Sequence, residues 1–398
     1  MTRIGLAYNQ KPQTAVPGLS EDAEASRPED EPPSKRRDAW SRTVATATLA
    51  SPHVASAALA ESDDEYAEWD DESTIAAVEG ALAQLGQVIR LEADQSFPER
   101  LRAERPDIVF NMAEGLRGVN REAHVPSICE FFGVPYSGSD PFTLSLCLDK
   151  ARTKELLTYH GVPTAPFVLV RGESDVDMLP ALLRLPVFVK PVHEGSSKGI
   201  TEENYCRTRE ECLARVAYLL RRYRQPVLVE EYLPGAEFTC AVLGNGDAAR
   251  VLPIVGMRFD SLPDGSLPVY GFEAKWVWDR PEHPLEIFEC PARIGQALRR
   301  RIEEVTLRAY RVLACRDWSR IDVRLDAAGV PNVVEVNPLP GILPDPADNS
   351  CFPKAARAAG MSYDELIQSC LRLAAERQGV ALSGRAVRRS RKRAAALG

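Results

Sequence analysis

Residues 320–341, RIDVRLDAAGVPNVVEVNPLPG, limit what this chain can fold into more than any other stretch. They read as two short strands, 320–325 and 333–337, joined by a polar Asp-Ala-Ala-Gly turn. Side chains on a strand alternate faces, so Arg320, Asp322 and Arg324 share one side. Glu335 and Asn337 likewise share a side, opposite Val334 and Val336. If the strands pair, Asp322, Glu335 and Asn337 converge with Arg320 beside them. Three hard oxygen ligands suit Mg²⁺, which favours carboxylates, keeps some waters and shares its sphere with nucleotide phosphates. The same alternation also describes a half-exposed sheet face carrying a salt bridge, and this stretch alone leaves both readings open.

The rest of the chain supplies context. Residues 4–8 form a short apolar strand, after which residues 10–64 turn to Pro, Ala, Ser, Glu and Arg without a sustained period. So little apolar surface does not offset the entropy of ordering a segment, and the expectation there is a disordered insertion. Asp70-Asp71-Glu72-Ser73 starts a helix through Ile75, Val78 and Leu82. Strands at 88–91 and 108–110 flank a helix at 97–104, and this alternation indicates a parallel sheet covered by helices. Residues 125–132 read as a helix leading into the turn-rich GVPYSGSD.

Further on, a helix at 150–159 stops at His160-Gly161, and the buried strand 186–190 ends on Lys190. That strand runs into PVHEGSSKGI, where Gly195, Ser196, Ser197 and Gly199 let backbone N–H groups approach phosphate. A glycine-serine loop is also an ordinary surface turn, and no Gly-Lys dipeptide makes this a Walker loop. Strands follow at 227–230 and 238–243. The G-x-G-x-x-A at 244–249 superficially resembles a dinucleotide fingerprint, but no helix opens after it, so it reads as a hairpin turn. Helices are expected at 292–313 and 361–377. Six basic residues between 385 and 393 read as a disordered tail.

A length of 398 residues allows two or three domains with buried cores. The net charge of −8 argues against nucleic acid as the partner of the body of the protein. Nine cysteines, an odd number without C-x-x-C, fit reduced thiols and a cytoplasmic location. No leader opens the chain and no run approaches 18 apolar residues, so no membrane span is expected.

Lys150, FVKPVHEGSSKGI, VLVEEYLPGAEFT, FEAKW, SRIDVRLD, VVEVNPLPG and AARAAGMSYDELI stand in an order that resembles the D-alanine–D-alanine ligase branch of the ATP-grasp superfamily. The resemblance spans residues 105–373 plus the N-terminal strand. It implies an α/β (α+β ATP-grasp) fold: an N-terminal parallel-sheet domain over 1–147, a central lid subdomain over 148–234, a catalytic subdomain over 235–379, and a tail over 380–398. The implied activity is an ATP-dependent carboxylate–amine ligase working through an acyl-phosphate, with ATP and Mg²⁺ (or Mn²⁺) required. The implied partners are amino acid or small peptide substrates, with a homodimer left open.

The same resemblance assigns residues. Lys150, Lys190 and Lys275 match phosphate contacts, and Gly195, Ser196 and Ser197 match the lid over them. Glu230, Glu231 and Leu233 match adenine contacts, and Glu237 a ribose contact. Asp322, Glu335 and Asn337 match Mg²⁺ ligands. Arg320 and the Gly341 N–H match stabilisers of the tetrahedral intermediate. The substrate half departs from the family. Tyr8-Asn9-Gln10 replaces a glycine-rich loop with a Glu, Glu114 replaces a His, and Trp276 replaces a Tyr that partners the lid serine. Pro346 and Ala347 stand near where the family has Ser-Leu. A different substrate pair is therefore expected. The alternatives are an authentic cell-wall D-alanine–D-alanine ligase and a non-catalytic ATP-binding module.

Overall fold

Parallel strands buried on both faces need helices above and below, and the first sheet obeys this rule. In the computed structural model, which describes residues 1–12, 68–172, 175, 183–263, 266–271 and 285–383, strand β1 (Arg3–Tyr8) lies between two parallel neighbours. They are β2 (Gln87–Glu92) and β3 (Ile108–Asn111). Helix α1 (Glu72–Ala83) starts where Asp71 accepts the Thr74 N–H at 2.8 Å, an N-cap by an acidic side chain. It buries Ile75, Val78 and Leu82 with Ile4 and Leu6. The opposite face packs Leu91 and Val109 against Phe97 and Leu101 of α2 (Phe97–Glu104) and Val125 of α3 (His124–Phe132). The described residues of 1–10 and 70–383 belong to one compact unit, and the insertion and the basic tail lie almost wholly outside the described residues.

Helix α4 (Pro141–Leu148) hands the chain to α5 (Lys150–Tyr159), and Asp149 caps the latter. A four-stranded antiparallel sheet follows, in the order β4 (Phe167–Val170), β7 (Val227–Glu231), β5 (Val187–Pro191), β6 (Tyr205–Cys206). Its alternation is simple. Val187, Val189, Val227 and Val229 pack on Cys212, Val216 and Leu219 of α6 (Arg209–Tyr223). Lys190 and Glu230 consequently point the other way.

The last sheet runs β11 (Phe288–Glu289), β10 (Val255–Met257), β8 (Glu237–Leu243), β12 (Trp318–Leu325), β13 (Pro331–Asn337), with β9 (Arg250–Val251) paired to β8. Ile321, Val323 and Val333 face Ile302, Val305 and Tyr310 of α7 (Gln296–Val312). On the other face Trp318 and Leu243 join Phe352 of α8 (Cys351–Ala358) and Leu366 and Leu371 of α9 (Tyr363–Gln378). That second face is apolar at the Trp318 end and charged from Arg320 onward. The site lies where the apolar packing stops.

Several expectations need correction. Helix α7 starts at Gln296 rather than 292, because the Ala292 N–H bonds Ile254 O at 2.8 Å and Gly295 is extended. Helices α4, α6 and α8 and strands β4, β6, β9, β10 and β11 are not legible from the sequence patterns. A start signal for α6 is nonetheless present in Thr208 and Glu211, which form a capping box. The ordered chain also continues past residue 379: Thr2 bonds Ser383 and Ala381 O, and Leu382 packs on the core. Residues 244–249 do form the turn of a hairpin, between β8 and β9. Among the described residues no helix is long and apolar enough to cross a membrane.

Candidate active site

Strands β12 and β13 pair antiparallel, with Asp322 opposite Glu335 and Arg320 opposite Asn337. Beyond Asp322 the register slips, so that Val323 pairs with Val333 and Val334 is the extra residue of a bulge. Val334 therefore contributes to the cleft wall next to Glu335, which strict alternation had placed on the opposite face. Arg320 Nη2 lies 3.0 Å from Asp322 Oδ2, and Thr239 Oγ1 donates to Asp322 Oδ1 at 2.9 Å. Burial raises the Asp322 carboxyl and the facing Glu335 charge raises it further, against the pull of Arg320. Burial would raise Glu335 too, but Lys150 and Lys190 outweigh it and hold this carboxyl at about 2. The two carboxyls face one another across the strand pair and are shifted in opposite directions.

Lys150 Nζ lies 2.9 Å from Glu335 Oε1 and donates to the Glu194 carbonyl. One turn along α5, Lys154 is almost fully buried, 2.8 Å from Glu230 Oε2. Lys190 lies 2.6 Å from Glu230 Oε1. Burial works against all three charges, yet the two lysines hold Glu230 at about 2. Glu230 and Glu335 in turn raise Lys190 despite its burial. Burial dominates at Lys154 and lowers it. The site thus holds a buried pair of cations sharing one carboxylate.

The far end of the cleft is organised by Arg324, buried on β12. It donates to Leu233 O, Glu237 Oε2 and the Tyr232 hydroxyl, each at 2.7 Å, and stacks on the Tyr232 ring. Burial raises the Glu237 carboxyl, and Arg324 only partly offsets it. The Glu231 N–H donates to Pro166 O at 2.9 Å. Lys150, Lys190, Gly195, Ser196, Ser197, Glu230, Glu231, Leu233, Glu237 and Glu335 all line one cleft. Lys154, Tyr232, Tyr270 and Arg324 line it as well, and the sequence reading had not assigned them to the site. The i, i+4 spacing of Lys150 and Lys154 was the available signal for one of them.

The other assigned residues that the structure describes, Glu114, Arg320, Asp322, Asn337, Gly341 and Pro346, are not among those lining this cleft. Glu114 is half-buried on the loop after β3. The next residue, Gly115, adopts φ 83°, and a Cβ there would meet Arg121 O at 2.1 Å. Asn9 is buried and spends its amide on Ala93 O and the Gly115 N–H. Arg121 reaches from this loop to His193 O at 2.9 Å, joining it to the start of the glycine-serine loop. Pro346 is exposed in a turn closed by Asp345, and the side chain beside Gly341 is Ser350 instead. Ser350 Oγ contacts Gly341 O at 3.3 Å and accepts the Leu343 N–H at 3.2 Å, because the long loop folds back to the start of α8. Lys275 and Trp276 lie outside the described residues.

Among the described residues no three His, Cys, Asp or Glu side chains form a metal-ready group. What the strand pair offers is two carboxylates and the amide of Asn337, whose Nδ2 is buried without a hydrogen bond. A half-turn of that amide exchanges nitrogen for oxygen without moving another atom. Mg²⁺ is commonly held by one or two carboxylates and completed by phosphate and water, so this donor set fits it.

The profile of the family described as D-ala D-ala ligase C-terminus matches residues 156–372. An uncharacterised protein, y4sG, of Sinorhizobium fredii is 36% identical over 285 residues, covering 71% of this chain and 79% of the relative. A D-alanine–D-alanine ligase of Actinobacillus pleuropneumoniae is 36% identical over 303 residues, covering 75% and 91%. The crystal structure of D-alanine–D-alanine ligase from Bacillus anthracis complexed with ATP superposes with a TM-score of 0.62 at 20% identity, covering 95% of this chain and 99% of that one. The fold is that of an ATP-grasp carbon–nitrogen ligase. The chain belongs to the D-alanine–D-alanine ligase family.

Proposed function

We propose that this ligase uses ATP to join two amino acids, or an amino acid and a small peptide, through an acyl-phosphate on the donor carboxylate, and that its preferred pair is not two D-alanines. The observation that carries the reading is that Lys150 pairs with Glu335, which stands opposite Asp322 in the strand pair, and that Lys150 and Glu335 line one cleft with Lys190 and the glycine-serine loop. Phosphoryl transfer needs positioned cations more than a covalent nucleophile, and the cleft is rich in the former.

In this reading residues 1–147 carry the first substrate, 148–234 the lid and 235–379 the reacting centre. Glu231 and Leu233 meet adenine through backbone groups, the former through its carbonyl since its N–H is already bonded. Glu230 stands beside them, and Glu237 takes the ribose hydroxyls. Lys150 and Lys190 hold phosphate oxygens, with Lys275 a further contact. Asp322, Glu335 and Asn337 would hold Mg²⁺ (Mn²⁺ accepts the same oxygens), and the ion would neutralise phosphate charge during transfer. Arg320 and the Gly341 N–H stabilise the oxyanion formed when the amine attacks. Ser196 and Ser197 close over the phosphates and keep water from the acyl-phosphate. Glu114 and Trp276 shape substrate choice. Pro346 offers neither a hydroxyl nor an N–H to a substrate carboxylate, and Ser350 spends its hydroxyl on Gly341 O and the Leu343 N–H. None of the nine cysteines is in a disulfide, which supports a cytoplasmic setting.

A second reading has support of its own, since relatives at 34–37% identity bear the name D-alanine–D-alanine ligase. A panel of D-alanine, L-amino acids and small dipeptides, read by phosphate release and product mass, separates the two. Efficient D-alanyl-D-alanine formation with no better pair would favour the second.

A further inference from the structure

The loop that carries the two lid serines is strained. Ser196 (φ 48°) and Ser197 (φ 61°) both occupy the left-handed region, which residues other than glycine hold only when their surroundings fix them. The fixing comes from behind. Asn204, completely buried, donates through Nδ2 to Gly199 O at 2.7 Å and to Val189 O. Its Oδ1 accepts the Thr201 N–H at 2.9 Å and Arg215 Nη2 at 2.6 Å. Arg215, from α6, also reaches Thr201 Oγ1 at 2.9 Å and Glu203 at 2.7 Å. A guanidinium has only donors, so it fixes which end of the Asn204 amide is oxygen. The nitrogen must then face the two carbonyls. One carbonyl closes the serine loop, and the other immediately precedes Lys190.

We propose that Asn204, locked by Arg215, is the positioning residue of the phosphate loop. A single buried amide sets the spacing between that loop and the strand bearing Lys190. It thereby sets how tightly the phosphates of ATP are held and how well water is kept from the acyl-phosphate. This rests on the ATP reading of the cleft. Gly199 completes the device, since a Cβ there would meet the Tyr223 ring of α6 at 2.9 Å, so the loop end is seated against α6 itself.

The test compares wild type with Asn204→Asp. The carboxylate keeps the size and strengthens the partnership with Arg215, but it has no donor for Gly199 O or Val189 O. The expected result is a folded protein with a lowered melting temperature, since two buried carbonyls lose their donor. The KM for ATP should rise about tenfold or more, the loss expected of a buried hydrogen bond, and more than one ADP should form per bond made. Absence of ATP binding by the wild type overturns the ATP reading and this proposal with it. ATP binding by wild type, with Asn204→Asp unchanged in both KM and ADP-to-product ratio, overturns the clamp alone. Should Asn204→Asp not fold, Arg215→Lys decides. It keeps the charge but cannot reach Asn204, Thr201 and Glu203 together. In folded Arg215→Lys a KM for ATP raised about threefold or more supports the clamp, and a smaller change overturns it.

Discussion

Replacing Glu230 by glutamine tests the buried charge cluster that organises the cleft. Glu230 is depressed from its ordinary 4.5 to about 2, and its side chain is only 8% exposed, so solvent screens it little. A depression of that size corresponds to ~3 kcal/mol of folding stability at neutral pH. The sign follows from linkage. A carboxyl whose folded pKa is depressed contributes stability above its unfolded value, and that contribution is lost as pH falls through the folded one. The window here is therefore about pH 5 down to 2, with about 2 kcal/mol lost by pH 3. Other carboxylates titrate in the same range but cancel between wild type and Glu230→Gln. Urea melts of both proteins at pH 7 and pH 3 should show a difference of ~3 kcal/mol that narrows by about 2 kcal/mol in acid. A difference that does not change with pH would refute the ion-paired assignment of Glu230 to Lys154 and Lys190.

Other outcomes follow from the same geometry. Glu335→Gln and Asp322→Asn should each abolish ATP turnover at saturating Mg²⁺ while the protein stays folded and monodisperse; near-normal turnover in both would remove the metal assignment. Arg324→Lys cannot satisfy Leu233, Glu237 and Tyr232 together, so steady-state kinetics should show the KM for ATP raised roughly tenfold with kcat much less affected. Deleting residues 11–61, or truncating after Ser383, should leave nucleotide affinity and ligation largely unchanged. Truncation after Gly379 should instead lower the melting temperature, since it removes the bonds of Ser383 and Ala381 to Thr2.

Much of the cleft was legible because it rests on period-two patterns and local motifs. Lys190 and Glu230 face the cleft because their valine neighbours must face α6. Asp322 meets Glu335 because two alternating strands with a short turn can pair in few ways. What escaped depended on events the local pattern does not encode. The bulge at Val334 changes the register by one residue without any marker in the sequence. Arg324 stood in a recognised strand, but its three partners come from a loop and a strand about ninety residues away. Ser350 approaches Gly341 only because the intervening loop doubles back on an Asp345 turn, which position counting from Gly341 does not foresee. Asn204 is one polar residue among several in TEEN, and only its burial distinguishes it.

The most direct test of the central claim follows oxygen. A donor substrate from the most active pair is labelled with ¹⁸O in its carboxylate and turned over with ATP. Transfer of the γ-phosphoryl to that carboxylate, followed by displacement by the amine, leaves one labelled oxygen in each phosphate released. Mass spectrometry of the phosphate should show that single label at every turnover. Unlabelled phosphate, with product still forming, would contradict the acyl-phosphate route.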